Sequence, residues 1–408
     1  MLRRSSGERR VTVLRAVLKR AGGLGIGTAL GQGVVLAATP WLVRVYGPAS
    51  FGLLALLITA TNISSAIGCA RLDLALPSAG DTDAPSLLRL CAIVGVIGAG
   101  GVTIVAQLLA FGGAVDEVAA RPLQLGLCVL FAANFQAASS MLLARGRISA
   151  MATLRGGQGL VFVLLALSSQ VGLLWAQVLS HAPGAVVLGV MLARLGPGPR
   201  LVDVAKRYRS FALLGLPGAV LDVVGYSLCI WIVTYAYGTA GSGEFSQVQR
   251  IVGAPLLLVS ISIGQILLRE TGHLRDDLPR LKLLLERLLM LFAGGAAVAL
   301  ILLALVGESV LGWLFGSRWH IGTVFIVAIS AAVFIRASIS PVSAILATFN
   351  RFDLALRWQM LYFASAVALF TLASRLLPLG GFVVFYAAHE IILYLIYLRI
   401  IMTVFRKA

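Results

Sequence analysis

Apolar stretches long enough to cross a bilayer recur from about residue 21 to about residue 402, separated by short connectors rich in Lys and Arg. A hydrocarbon layer about 30 Å thick takes about 20 helical residues per crossing, so a chain of 408 residues with short connectors holds roughly twelve crossings. Successive windows predict spans over 21–43, 51–70, 87–111, 122–144, 152–169, 172–193, 211–237, 247–268, 284–306, 321–346, 356–374 and 379–402. Strands of a β-barrel would alternate apolar and polar residues over about ten positions, and no such alternation is present. With 59% of its residues apolar, a soluble chain would carry more greasy surface than one core absorbs. The expected fold is all-α and polytopic, with about twelve transmembrane helices.

The formal net charge of +17 raises the question of nucleic acid, but the placement of the cations answers it. With the N-terminus inside, Arg44, Arg121, Arg318 and Arg375 fall outside, Arg250 and Arg336 fall away from the cytoplasmic ends of their spans, and the rest of the 33 Lys and Arg residues are assigned to cytoplasmic segments or the cytoplasmic ends of spans. That asymmetry predicts a multi-pass, inner-membrane-type protein with both termini cytoplasmic, and no nucleic-acid partner. Residues 1–20 form a basic cytoplasmic segment. Val11, Leu14 and Leu18 share a helical stripe there, which suits either an interfacial helix on anionic lipid or a positive anchor. Since many spans follow the first, it reads as an uncleaved anchor. Cys69, Cys91, Cys128 and Cys229 lie in or beside spans without paired spacing and read as packing residues.

An internal repeat organises the chain. Leu24-Gly25 recurs as Leu214-Gly215 and Trp41-Leu42-Val43 as Trp231-Ile232-Val233; after one inserted residue Tyr46-Gly47 pairs with Tyr237-Gly238. The predicted organisation is a six-helix bundle over 21–194, a cytoplasmic linker over 195–210, a second six-helix bundle over 211–402, and a tail over 403–408. Six spans per half give both halves the same orientation, so the bundles are expected to be pseudo-symmetric around a central cavity. Leu195-Gly196-Pro197-Gly198-Pro199 is the expected hinge, and 269–287 reads as a short surface helix.

Gly23, Gly27 and Gly31 share one helix face and suit close approach of another helix. Gly25-Ile26-Gly27 has no preceding strand and His389-Glu390 lacks a second histidine, so neither a dinucleotide loop nor a zinc site is supported; no cofactor or metal is expected. Ionisable groups at membrane depth carry the functional signal, because each costs about 2.5–3.5 kcal/mol on insertion scales unless it meets water or a partner. These are Asp222 in the seventh span, Arg250 in the eighth, Arg336 in the tenth and His389-Glu390 in the twelfth. Asn62, Gln136 and Gln247 belong to polar stripes whose amides suit sugars and equally glue helices together. Pro217 and Pro341 interrupt spans seven and ten, where bending is expected.

Two segments carry a family resemblance. Trp41-Leu42-Val43-Arg44-Val45-Tyr46-Gly47-Pro48-Ala49-Ser50-Phe51-Gly52-Leu53, with Arg71-Leu72-Asp73-Leu74-Ala75-Leu76-Pro77 after it, resembles the start of bacterial polysaccharide and O-antigen flippases. These belong to the multidrug/oligosaccharidyl-lipid/polysaccharide exporter superfamily. The stretch from Tyr208 to Pro217, then Tyr237-Gly238, Phe245-Ser246 and Arg250-Ile251-Val252-Gly253-Ala254-Pro255, is similar to the family's seventh and eighth spans. Ala49-Ser50 departs from the family, where an acidic residue commonly precedes Phe-Gly, and many relatives carry fourteen spans. The resemblance implies a polyprenyl-diphosphate-linked oligosaccharide as cargo, carried across the membrane for surface polysaccharide synthesis by a transporter and not an enzyme. Arg250 and Arg336 are then head-group candidates, since guanidinium groups offer charge-assisted bonds to diphosphate. Arg44 either lines the cavity mouth or anchors its helix, Asn62, Gln136 and Gln247 are sugar-facing candidates, and Asp222 or Glu390 could couple transport to an ion. Membrane lipids, a polysaccharide polymerase and chain-length proteins are the implied partners. The alternative is a cation-coupled multidrug exporter of the same fold.

Overall fold

The apolar stretches fold as helices, and among the described residues of the computed structural model, 29–111, 121–168, 170–273, 277–349 and 351–406, there is no strand. In chain order these are α1 (Ala29–Val45), α2 (Pro48–Ile67), α3 (Ala84–Phe111), α4 (Pro122–Ala144), α5 (Ile148–Leu167), α6 (Leu173–Ser180) and α7 (Ala182–Ala193). There follow α8 (Leu201–Arg207), α9 (Arg209–His273), α10 (Leu278–Phe315), α11 (Thr323–Ile339), α12 (Ala344–Thr348), α13 (Phe352–Leu376) and α14 (Leu379–Met402). Among the described residues, ten helical segments are long and apolar enough to span a bilayer, and α1 is a shorter apolar helix. The sequence predicts two spans where α9 stands. Its two arms meet at Gly238, with φ 76° and ψ 176°, a left-handed corner open to glycine. Counting α1 and both arms brings the crossings to about twelve.

Boundaries move where capping decides them. The fourth span matches its prediction over 122–144, with Pro122 at the first helical position. The surface helix expected over 269–287 is instead the ends of two long helices: α9 runs to His273, and α10 begins behind Asp277, whose carboxylate accepts from the Arg280 amide. Residues 1–28 lie outside the described residues, and with them the basic segment, Gly23 and Gly27.

The chain divides into two compact units: one holds Ala60–Val220 with the residues up to Thr39, the other Leu221–Ala408 with Pro40–Thr59. In the first, α3, α4 and α5 enclose Leu87, Leu88, Cys91, Ala137, Met141 and Met151. Gly31 of α1 lies against α5, where a Cβ would sit 3.0 Å from the Arg155 carbonyl, while a Cβ on Gly159 would sit 2.9 Å from the Gly31 Cα. This is the close helix approach expected of Gly31. The linker is docked: Ser86 donates to the Pro199 carbonyl at 2.7 Å, Arg89 to the Gly196 carbonyl at 2.9 Å, and Asp83 accepts from Arg207 and from the Tyr208 hydroxyl.

In the second unit the starts of α2 and of the second arm of α9 meet reciprocally. A Cβ on Gly52 would fall 1.9 Å from the Thr239 carbonyl, and one on Gly243 would fall 1.9 Å from the Pro48 carbonyl. Gly52 relates to Gly243, and Pro48 to Thr239, by the same offset as Tyr46-Gly47 to Tyr237-Gly238. A self-reciprocal contact of this kind is what a two-fold relation between repeated segments produces. The crossing also explains why Pro40–Thr59 joins the second unit.

Gly52→Ala and Gly243→Ala are each expected to cost about 1–3 kcal/mol, because the backbone must separate to admit a methyl group. Gly33→Ala, with nothing within 4 Å of the added carbon, should be neutral. Thermal melting of the purified proteins in detergent checks this, and equal melting temperatures for all three would refute it.

Candidate functional site: an arginine held by a carboxylate and two tyrosines

Three helices of the second unit converge on one charged pair. Pro341 sits in the 3-10 turn Ser340–Ser343 that ends α11, which leaves Arg336 in the last turn of that helix, where the backbone dipole favours a cation. Its Nη2 lies 3.3 Å from Glu390 Oε2 of α14. Arg336 also donates from Nε to the Tyr394 hydroxyl at 3.0 Å and from Nη2 to the Tyr362 hydroxyl at 2.9 Å. Tyr362 of α13 in turn donates to Glu390 Oε1 at 2.5 Å, so one hydroxyl bridges cation and anion. The two ends differ in burial: the Glu390 side chain is 0% exposed, the Arg336 side chain 22%.

Aromatic packing fixes this arrangement. Trp358 stacks on Tyr397 with centroids 4.0 Å apart, lies edge-on to Tyr394 at 5.3 Å, and spends its indole N–H on the Leu393 carbonyl. Behind Glu390, His389 shares a hydrogen bond with Ser365 through Nε2 at 3.0 Å; its Nδ1 is 3.9 Å from Glu390 Oε1, beyond hydrogen-bond reach. Arg336 and Glu390, assigned separate roles by the sequence, are therefore one ion pair.

The other predicted residues fall elsewhere. Arg250, on α9, is partly buried and makes no hydrogen bond or ion pair among the described residues. Gln247 is buried with its Nε2 unpartnered, and Gln249 reaches the Tyr386 hydroxyl at 3.4 Å. Arg44 acts as an anchor: it donates to the Trp313 and Leu314 carbonyls at 2.6 and 3.3 Å, in the last turn of α10. In the first unit Asn62 is exposed on α2, whereas Gln136 is committed to Asp73. Asp222 and Pro217 lie on α9, but their side chains are outside the described residues.

Two groups escaped sequence reasoning. Arg155 stands inside α5 with a buried, unpartnered Nε; close behind Arg145 and Arg147 at the cytoplasmic end of the predicted fifth span, it is counted in sequence with the cytoplasmic cations. Asp73 lies in the 3-10 turn Leu72–Ser78 between α2 and α3, entered through Ala70 and Arg71 in left-handed conformation, φ 47° and 61°. Its carboxylate is almost fully buried and accepts from Gln136 at 3.1 Å and Ser140 at 3.5 Å, one turn apart on α4. Burial raises its pKa above the ordinary 3.8, and the bonds from Gln136 and Ser140 and the charge of Arg71 only partly offset this. An acidic residue flanked by Leu72 and Leu74 was the available signal.

A family model described as polysaccharide biosynthesis protein matches residues 41–324, so the chain belongs to that family. Solved structures share the fold at low identity. The lipid II flippase MurJ in an inward closed conformation aligns with TM-score 0.73 and 11% identity over 92% of this chain and 87% of its own. An inward-facing multidrug resistance MATE family transporter of the MOP superfamily aligns with TM-score 0.67 and 12% identity over 92% and 96%. The Vibrio cholerae MATE transporter VcmN in its bent form gives 0.54 and 11% over 96% and 98%. No curated protein matches by sequence.

A raised Asp73 pKa means that the folded protein holds this proton where the unfolded chain has released it. The resulting cost is absent below pH 3.8, grows as the pH climbs from there to the raised value, and persists above it. Asp73→Asn, which keeps an acceptor for Gln136, should therefore melt higher than wild type at neutral pH, with the gain shrinking toward pH 4. A gain that grows on acidification would contradict this.

Proposed function

We propose that this protein is a flippase that moves a polyprenyl-diphosphate-linked oligosaccharide across the bacterial inner membrane for surface polysaccharide synthesis, by alternating access and with both termini cytoplasmic. The observation that carries the reading is Arg336, an arginine at membrane depth whose side chain is 22% exposed, in a chain of the polysaccharide biosynthesis family. A diphosphate does not enter hydrocarbon unaided, and an arginine offers it permanent charge with several directed donors. Arg250, without a protein partner among the described residues, is the second head-group candidate, and Gln247 of the same unit supplies an amide for sugar hydroxyls. Gln136 is left out of the binding set, because its amide is held by the buried Asp73 carboxylate. Glu390 holds Arg336 and is assigned no ion of its own.

The second reading, a multidrug exporter, draws on the MATE likeness of the fold. A free carboxylate would favour a cationic drug, and Glu390 is already paired with an arginine, which favours the anionic cargo. Deleting the gene should abolish surface polysaccharide and build up the lipid-linked intermediate on the cytoplasmic leaflet, with drug susceptibility unchanged on overexpression. Normal polysaccharide without that build-up, or broad drug resistance, would overturn the proposal.

A further inference from the structure

A lone guanidinium at membrane depth meets a selectivity problem. The surrounding lipid is crowded with phosphodiester head groups, each a monoanion, and an unoccupied arginine would bind them by the same charge-assisted bonds it offers a diphosphate. In this protein the arginine is not unoccupied. Arg336 is paired at 3.3 Å with a carboxylate that is 0% exposed, and the Tyr362 hydroxyl, accepting from one and donating to the other, holds the pair together. The Arg336 side chain is the more accessible partner, so an approaching anion reaches it before Glu390 and competes with the carboxylate for it.

Resting on the substrate reading above, we propose that Glu390 is a specificity-determining residue: it occupies Arg336 at rest, so that a head group with more than one phosphate charge displaces it and a single phosphodiester does not. A monoanion exchanging for a carboxylate gains no net charge attraction and must still leave water, whereas a diphosphate brings two or more charges to the same guanidinium. Discrimination then comes from raising the threshold against the wrong ligand as well as from attracting the right one. The surroundings fit a pair that opens. After Arg336 turns away, Glu390 keeps the Tyr362 donor, and His389, whose Nδ1 has no hydrogen-bond partner and lies 3.9 Å away, can turn toward it. Tyr394 and Tyr362 act on Arg336 as neutral acceptors, so they hold the guanidinium in place without competing for its charge.

The test uses the purified full-length protein in detergent, titrated separately with farnesyl diphosphate and with short-chain phosphatidylglycerol. Wild type, Glu390→Gln, Arg336→Ala and the double variant are compared, each first checked by thermal melting. Wild type should prefer the diphosphate. Glu390→Gln should bind both ligands more tightly and phosphatidylglycerol most, so that the ratio of the two Kd values falls by at least about fivefold; with Arg336→Ala in the background this change should vanish. If Gln does not fold, Glu390→Asp, which draws the charge back by one methylene, should shift the ratio the same way by a smaller factor. An unchanged ratio in wild-type-like binding, or a shift that persists without Arg336, overturns the role of Glu390 alone. Failure of wild type to bind farnesyl diphosphate overturns this role together with the cargo reading beneath it.

Discussion

Hydrocarbon supplies no hydrogen bonds and little screening, so a charge placed among membrane helices needs a partner, water or a ligand. The Arg336–Glu390 pair meets that demand inside the second unit and ties α11, α13 and α14 to one another through Tyr362 and Tyr394. Removing one member of such a pair leaves the other charge buried and costs about 3–5 kcal/mol. The asymmetry matters. Loss of Arg336 strands a fully enclosed carboxylate, whereas loss of the Glu390 charge leaves a guanidinium with some access and two neutral acceptors. The arginine is consequently the partner able to change allegiance.

The same solvent explains the backbone. Helices satisfy their own N–H and C=O groups, and where two must cross closely only glycine admits the contact, as at Gly31 with Gly159 and at Gly52 with Gly243. The second of these crossings joins repeated segments reciprocally, so the sequence repeat has a physical counterpart. The linker, read from sequence as a Pro/Gly hinge, is held to the start of α3 by Asp83, Ser86 and Arg89.

Most of the fold was legible because apolar length and period are local properties: the fourth span is right to the residue, and the break at Tyr237-Gly238 was marked by its repeat. Depth was legible for the same reason, which is how Arg250, Arg336 and Glu390 stood out. Partners were not. Tyr362 and Tyr394 are unremarkable in their own spans, and only the packing of α11 against α13 and α14 makes them ligands of Arg336. Serines 338, 340 and 343 are its polar neighbours in sequence, yet Ser338 and Ser343 bond to backbone of their own helix and turn. Gln136 shows the converse: a polar stripe that suits sugars is spent on Asp73, a residue noticed only as part of a motif.

Under the proposed function the Arg336 charge, and not merely its packing, carries an anionic head group across the membrane. Proteoliposomes loaded with a fluorescent polyprenyl-diphosphate oligosaccharide measure this directly, by the rate at which label becomes accessible from the far leaflet. Wild type should equilibrate the lipid, Arg336→Lys should retain part of the rate, and a folded Arg336→Gln should fall to the protein-free background. Equal rates for Arg336→Gln and wild type would contradict the account.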